Sequence, residues 1–197
     1  MESKDKIDDL IVLRIENQRL IALLELTTDA GIQEVFRSLA VNQERTAMIA
    51  TEILRAFAEG RKVLVLTERT EHLDAIFSAI EGMVSTCFVL HGRLSKKQRS
   101  ILIAELEALP ADAPRVLLAT GKLVGEGFDH PPLDTLVLAM PVSWQGTLQQ
   151  YAGRLHREHA TKTDVRIIDF VGTGHPALLR MWEKRQRGYR AMGYRLT

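Results

Sequence analysis

Five short runs of apolar residues stand out along the chain. The runs are Val63–Thr67, Thr86–Leu90, Arg115–Ala119, Thr135–Ala139 and Val165–Phe170. Nearly continuous apolar runs of this length are typical of strands whose two faces are both covered by helices. The pattern therefore predicts five buried strands.

Helical patterns separate these runs. They span Glu44–Glu59, Glu71–Ile80, Ser95–Leu109 and a segment around Thr147–His156. The first three patterns are closed by Gly60, Gly82 and Pro110, respectively. Ser95 and Gln98 have the spacing of a capping box, which predicts that the third helix begins there. Alternation of strands and helices is typical of βαβ units, so we expect an α/β fold built on a mainly parallel sheet.

Residues 5–26 form an earlier helical pattern with an apolar seam. The seam positions are Leu10, Leu13, Asn17, Leu20 and Leu24. A polar Asn in such a seam can set the register of a two-stranded coil, although about two heptads are fewer than a coiled coil normally needs. We expect an N-terminal helical extension over residues 1–34, which is either a plain helix or a weak homodimer contact. Residues 35–197 then form one α/β domain.

Composition agrees with a single globular unit. The chain has 197 residues, of which 46% are hydrophobic and 26% charged, and a formal net charge of +1. Affinity for nucleic acid or membrane therefore has to come from local patches. Residues 1–34 carry eight acids and four bases, whereas six bases and one acid follow from His175 to the end. The basic end of the chain is the stronger candidate for such a patch.

We expect neither a signal peptide nor a transmembrane helix. Its first residues are charged and acidic, and its apolar runs are short. A signal peptide and a transmembrane helix both need longer apolar stretches. The single cysteine, Cys87, lies in an apolar run where it is expected to pack as a small hydrophobe. We expect a cytoplasmic protein.

The segment Thr120–Asp129 follows a predicted buried strand and is rich in glycine. Gly121, Gly125 and Gly127 would let backbone N–H groups approach a phosphate, and Asp129 can accept hydrogen bonds from a ribose hydroxyl or a water. The spacing fits neither a Walker A loop nor a dinucleotide fingerprint. A plain turn is the alternative interpretation.

A second segment, Gln150–Arg157, reads Gln-x-x-Gly-Arg-x-x-Arg. On a helix Arg154 and Arg157 are neighbours on one face. Two guanidinium groups side by side suit a polyphosphate, whereas a solvated basic face is the ordinary alternative. The order of the glycine-rich loop, a strand, the turn at Pro141–Ser143 and then this helix favours phosphate chemistry.

With these segments in this order, the chain resembles the second RecA-like lobe of superfamily 2 helicases. The similar branch includes type III restriction subunits and DEAD/DEAH-like translocases. Thr120–Asp129 matches motif V of that family, and Gln150–Arg157 matches motif VI in full. Val63–Arg69 resembles motif IV, and His91-Gly92-x-x-Ser95 resembles a turn that grips a nucleic-acid backbone. The resemblance covers roughly residues 32–191.

The resemblance implies an ATP site shared between two lobes, with ATP and Mg²⁺ bound mainly by the first lobe. Arg154 and Arg157 would be arginine fingers on the γ-phosphate, and Gln150 would help to sense it. Three residues would lie at the nucleotide and its ribose: Gly125, Gly127 and Asp129. Five residues would contact DNA or RNA: His91, Gly92, Arg93, Thr120 and Gly121.

The sequence also departs from a complete motor. It contains no Gly-Lys-Ser/Thr and no Asp-Glu dipeptide, which the first lobe of such a motor supplies. The chain is then a fragment of a larger helicase, a lobe whose partner is a separate polypeptide, or a degenerate lobe. We expect the second lobe of a nucleic-acid-dependent ATPase that is inactive alone. A non-catalytic nucleic-acid-binding or interaction module is the alternative, and an unrelated nucleotide enzyme is disfavoured because both standard phosphate loops are missing.

Three further features have competing interpretations. His156-x-x-His159 has a helical metal-ligand spacing but no further ligands near it, so we expect no metal site. Trp144 either stacks on a base or caps the core. The segment Arg180–Arg190 is either a phosphate-tracking strip or an amphipathic helix that packs Met181, Trp182 and Tyr189 inward and exposes its arginines.

Overall fold

The computed structural model describes residues 8–15, 30–121, 128–142, 148–172 and 174–196, with the backbone alone for 8–15 and 196. Its strands are β1 Asp8–Ile15, β2 Lys62–Thr67, β3 Cys87–Leu90, β4 Arg115–Thr120, β5 Thr135–Leu138, β6 Asp164–Val171 and β7 Arg195–Leu196. They form one sheet in the order β3-β4-β2-β5-β6-β1-β7. Every described pairing in it is parallel. The five predicted strands and the parallel α/β fold are confirmed.

Six helices cover the two faces of this sheet within the described ranges. They are α1 Ile32–Val41, α2 Gln43–Ala58, α3 Thr70–Ile80, α4 Lys96–Glu107, α5 Gln149–Leu155 and α6 Pro176–Ala191. The four predicted helices correspond to α2, α3, α4 and α5. The capping box is present, because the Gln98 N–H donates to Ser95 Oγ and the Ser95 N–H donates to Gln98 Oε1.

Successive residues of a strand point to opposite faces of the sheet, so alternate side chains of each strand pack into different hydrophobic cores. Leu64, Leu117 and Leu136 pack on one face with residues of α4, α5 and α6. Val63, Val116 and Val137 pack on the other face with α2 and α3. Both faces of these strands are therefore buried in hydrophobic clusters, which explains why the strands read as continuous apolar runs.

Residues 8–15 correct one prediction. We expected a helix over residues 5–26, but Asp8–Ile15 is a strand that pairs in parallel with β6 over its whole length. The physical reason is the free edge of β6. Pairing there gives the segment a full ladder of backbone hydrogen bonds, whereas a lone helix is marginal without a packing partner. The rest of the seam, from residue 16, lies outside the described residues, and the division at residue 34 stays a prediction.

Helix α1 was not assigned from the sequence, and α6 was only one of two interpretations of the segment Arg180–Arg190. Helix α1 places Val35 and Leu39 against Met140 and Leu178, and so covers the end of the sheet beside α6. Helix α6 begins after His175, whose side chain accepts a hydrogen bond from the Ala177 N–H. None of the described helices is long and apolar enough to cross a bilayer.

Candidate nucleotide and nucleic-acid site

A cleft of about 520 Å³ opens at the carboxyl edge of the sheet. Parallel strands end together at that edge, so the turns that follow β2, β3, β4 and β5 meet there. The lining residues are Leu66, Thr67, Glu68, Thr70, Gly92, Thr120, Gly121, Met140, Val142, Gln150 and Tyr151. The structure thus brings together Gly92, Thr120 and Gly121, which were expected to contact nucleic acid, with Gln150.

Tyr151 joins the loop after β4 to helix α5. The Tyr151 hydroxyl donates a hydrogen bond to the Gly121 carbonyl, and the ring is buried. A Cβ at position 121 would lie 2.9 Å from that hydroxyl oxygen, so a residue larger than glycine fits only if the tyrosine hydroxyl shifts. Burial raises the pKa of Tyr151 and keeps it a neutral donor. Tyr151 was not predicted from the sequence, because its role depends on this long-range contact.

Two arginines contact the end of the glycine-rich segment: Arg154, in α5, and Arg157, in the turn that follows the end of α5 at Leu155, so the prediction that both lie on one helix is wrong for Arg157. Arg154 Nη1 donates to the Phe128 carbonyl. Arg157 Nη1 lies 2.5 Å from Asp129 Oδ2, with side chains that are 58% and 34% exposed, respectively. The expected neighbours Asp129, Arg154 and Arg157 therefore form one cluster, in which Arg157 faces solvent.

Asp129 also has an unused acceptor. Its second oxygen, Oδ1, is buried and has no hydrogen-bond partner among the residues that the structure describes. A desolvated carboxylate oxygen without a donor costs free energy. That the ribose of a nucleotide supplies this donor stays a prediction. Gly125 and Gly127, which were expected beside it, lie outside the described residues.

A buried lysine supports the C-terminal end of α5. Lys162 Nζ donates to the Leu155 carbonyl at 2.7 Å and to the Arg157 carbonyl at 2.8 Å. Burial lowers the pKa of Lys162 to about 8, and the nearby carboxylates Asp134 and Asp129 oppose that shift. A cation at the last carbonyls of a helix satisfies their unpaired acceptors. Lys162 thereby fixes the backbone that carries Arg157.

His130 anchors the same loop from the other side. Its Nε2 lies 3.0 Å from Arg115 Nη1, and because arginine only donates, Nε2 is the acceptor and the ring is neutral. Burial, with the Arg115 charge, lowers the pKa of His130 to about 4. The side chain of Arg115, in strand β4, therefore holds His130, the residue that follows Asp129.

The turn after β3 is stabilised by local contacts. His91 Nδ1 accepts a hydrogen bond from the Arg93 N–H at 3.2 Å, and Arg93 Nη2 lies 2.8 Å from Asp74 Oδ2 of α3. Both members of the Arg93–Asp74 pair are more than half exposed. Arg93 thus lies at the surface beside Gly92, where it remains accessible to a phosphate.

Glu68 places a carboxyl in the cleft that sequence analysis did not single out. Burial raises the pKa of Glu68, and the neighbouring Arg69 opposes that shift. An acid at this point disfavours a second negative charge beside it.

Other candidate residues have structural surroundings. Burial raises the pKa of Cys87 to about 11, as expected for a thiol that packs against the core. His156 packs edge-on against Tyr194, and His159 Nδ1 pairs with Thr161 Oγ1 at 2.9 Å. Over the described ranges no group of three potential ligands is arranged to hold a metal. Trp144 lies outside the described residues.

The basic segment at the end of the chain forms α6, so the amphipathic-helix interpretation is confirmed for Tyr189, which is fully buried. Arg185 corrects the expectation that the arginines are exposed. It is 1% exposed, and it pairs with Asp169 through two bonds of 2.7 and 3.2 Å. Arg185 is therefore part of the core, whereas the exposed bases of α6 remain accessible.

Comparisons with known proteins agree with this geometry. Residues 44–159 match the model of the helicase conserved C-terminal domain. The transcript termination protein A18 of fowlpox virus is 27% identical over 153 residues, which is 76% of this chain and 32% of that protein. The chain therefore spans about a third of the length of this curated relative.

Solved structures show the same fold. The crystal structure of T4 UvsW superposes with a TM-score of 0.75 at 17% identity, over 96% of this chain and 41% of UvsW. S. cerevisiae Dbp5 bound to RNA and ADP BeF3 superposes with a TM-score of 0.61 at 13% identity, over 98% of this chain and 42% of Dbp5. These likenesses establish the RecA-like helicase-lobe architecture of the described sheet and helices.

Proposed function

Because this chain belongs to the helicase conserved C-terminal domain family, we propose that it is the second lobe of a nucleic-acid-dependent ATPase. In this proposal it supplies arginine fingers and nucleic-acid contacts to a site that a first lobe completes. ATP and Mg²⁺ would be held mainly by that first lobe. This lobe would add the Asp129, Arg154 and Arg157 cluster.

One observation carries the proposal. The Arg157–Asp129 pair at 2.5 Å and the Arg154 bond to the Phe128 carbonyl fix two guanidinium groups at one edge of the sheet. Phosphoryl transfer depends on positioning and on stabilisation of charge, and a guanidinium aimed at the developing charge supplies both. Arg157 is the more exposed of the two partners in its pair and is the better placed to reach across to another lobe.

The neighbouring cleft suits a nucleic-acid backbone. Gly92, Thr120 and Gly121 line it together with Gln150, and they bring backbone groups and a neutral hydroxyl to the cleft. Neutral donors of this kind position phosphates without reading sequence. The A18 relative is named for transcript termination, and the Dbp5 structure holds RNA and ADP BeF3. Both support a nucleic-acid substrate, with DNA and RNA as the two options.

The test joins this lobe to a first lobe that carries a Walker A lysine and measures nucleic-acid-stimulated ATP turnover. Arg157→Ala and Arg154→Ala should each lower turnover by roughly 10³-fold, because an arginine finger contributes about that factor. Nucleic-acid binding should stay nearly unchanged. The matched control is Arg37→Ala, which removes an exposed guanidinium from α1, far along the chain from both motifs.

If both variants keep nearly wild-type ATP turnover, Arg154 and Arg157 are not arginine fingers, and the non-catalytic binding module is favoured. The 197-residue chain alone should not hydrolyse ATP, since it contains no Gly-Lys-Ser/Thr. Turnover by the pure chain, lost in the Arg157 variant, would contradict the proposal of a shared site.

A further inference from the structure

Helix α6 presents two chemically different faces. Leu178, Arg185 and Tyr189 are buried on its inner face. Four bases are exposed on its outer side, and we call them the α6 basic stripe: Arg180, Lys184, Arg187 and Arg190. Their spacings of four, three and three residues place neighbours on the same side of a helix. The stripe spans about 15 Å, given a rise of 1.5 Å per residue.

The fold makes no use of these charges. None of the four side chains has a salt bridge or side-chain hydrogen bond within the described ranges. Like charges three and four residues apart repel each other and weaken a helix. Glu183 is the one carboxylate of α6, and it leaves a net positive side. The stripe therefore destabilises the helix in the free protein, and its side chains are available to bind a polyanion.

The stripe lies behind the wall of the cleft. Arg185, on the inner face of α6, donates from Nη1 to the Val142 carbonyl at 3.2 Å, and Val142 lines the cleft. A helix with its side chains is about 10–12 Å across. The outer face of α6 is thus one helix diameter from the cleft wall, within reach of a strand that leaves the cleft.

We propose that the α6 basic stripe binds the phosphate backbone of that departing nucleic-acid strand, without sequence preference. The inference rests on the proposed nucleic-acid substrate of the cleft. Guanidinium and ammonium groups match phosphate oxygens, and such contacts carry no base information. A membrane surface is a poorer fit, because a helix that lies on lipid needs an exposed apolar face. Leu179, at 40% exposure, is the one large apolar side chain exposed on α6 within the described residues.

The experiment measures binding of the 197-residue chain to a fluorescent 20-nucleotide single strand by anisotropy, across a salt titration. Lys184→Glu with Arg187→Glu should weaken binding about tenfold or more at low salt. The slope of log affinity against log salt should fall by ~1.4, or 0.7 for each lost phosphate contact. The charge control is Arg37→Glu with Arg55→Glu, which changes the net charge equally through exposed arginines of α1 and α2, although Arg55 also loses its ion pairs with Glu52 and Glu59.

Equal affinities and slopes for the two double variants would overturn the proposal and return the stripe to a solvated face. If the Lys184→Glu, Arg187→Glu variant loses binding to anionic vesicles but keeps oligonucleotide binding, the proposal is overturned as well. Far-UV circular dichroism verifies that both variants are folded, as expected for exposed positions. His91→Ala with Arg93→Ala separates the two surfaces. If that variant binds normally while the stripe variant does not, the cleft contacts are wrong and the proposal of a strand leaving the cleft fails with them, although the stripe still binds nucleic acid. If that variant loses binding while the stripe variant binds normally, only the stripe proposal is overturned.

Discussion

Two arginine–aspartate pairs in this molecule have the same chemistry and opposite surroundings. Arg185 and Asp169 are 1% and 0% exposed and lie between α6 and β6, with Arg185 Nε 2.7 Å from Asp169 Oδ2. Arg157 and Asp129 are 58% and 34% exposed at the carboxyl edge of the sheet, with a contact of 2.5 Å. Distance alone would not tell the two pairs apart, but burial does.

The difference shows what each pair can do. A buried pair is tolerated only when its remaining donors and acceptors are satisfied, and here Tyr189 Oη donates to Asp169 while Arg185 Nη1 donates to Val142. A solvent-exposed pair contributes little to stability, since water screens it. The buried pair therefore fixes α6 on the sheet, whereas the exposed pair keeps an arginine oriented and accessible.

The largest effect on stability is expected at the buried pair. Arg185→Ala should lower the free energy of unfolding by about 3–5 kcal/mol, because it leaves the Asp169 carboxylate buried without its partner. Urea denaturation followed by circular dichroism measures the change. Arg157→Ala should cost less than about 1 kcal/mol in the same assay. Equal losses of unfolding free energy in the two variants would contradict the distinction between the buried and the exposed pair.

A smaller loss is expected at the contact between the site and the core. Gly121→Ala should cost about 1–3 kcal/mol, as is usual for overpacking. In the Tyr151→Phe background the same change should cost much less, because the hydroxyl at 2.9 Å is gone and the next atom, Cζ, is 3.8 Å away. A double-mutant cycle of unfolding free energies measures the coupling. Additive losses would show that Tyr151 does not limit residue 121.

A buried histidine gives the fold a pH dependence. Burial, with the Arg45 charge, lowers the pKa of His72 to about 3. The unfolded chain binds a proton near pH 6.5 and the folded chain does not, so stability is full above that pH. It falls by at most about 1.4 kcal/mol per pH unit on acidification from 6.5 towards 3. His72→Phe should flatten that slope in urea titrations between pH 7 and pH 5, and an unchanged slope would assign the effect to other groups, such as His130.

The contacts that sequence reasoning found are local, and those it missed are distant in the chain. The capping box at Ser95 and the strand pattern depend on neighbouring residues, so their spacing was sufficient. Arg185 looks like any other base of its helix, because its partner Asp169 lies on another element. The bond from Tyr151 to Gly121 joins positions 30 residues apart, so it too is visible only in the fold.

Strand β1 shows a different limit. Its apolar residues fit a helical pattern as well as a strand. Pairing with the free edge of β6, rather than local propensity, determines that the segment is a strand. The clustering of Asp129 with Arg154 and Arg157 was anticipated only through the family resemblance. No spacing rule places residues of a loop and a later helix in contact.

The central claim, that Arg157 serves phosphate chemistry rather than stability, is tested most directly by Arg157→Lys in the two-lobe protein. Lysine keeps the positive charge and the attraction to Asp129 but cannot reproduce the planar guanidinium fork. We expect ATP turnover to fall by roughly 10³-fold, as for an absent finger, while the urea unfolding midpoint stays unchanged. Turnover close to that of the wild type would contradict the claim and leave the Arg157–Asp129 pair as a solvated surface contact.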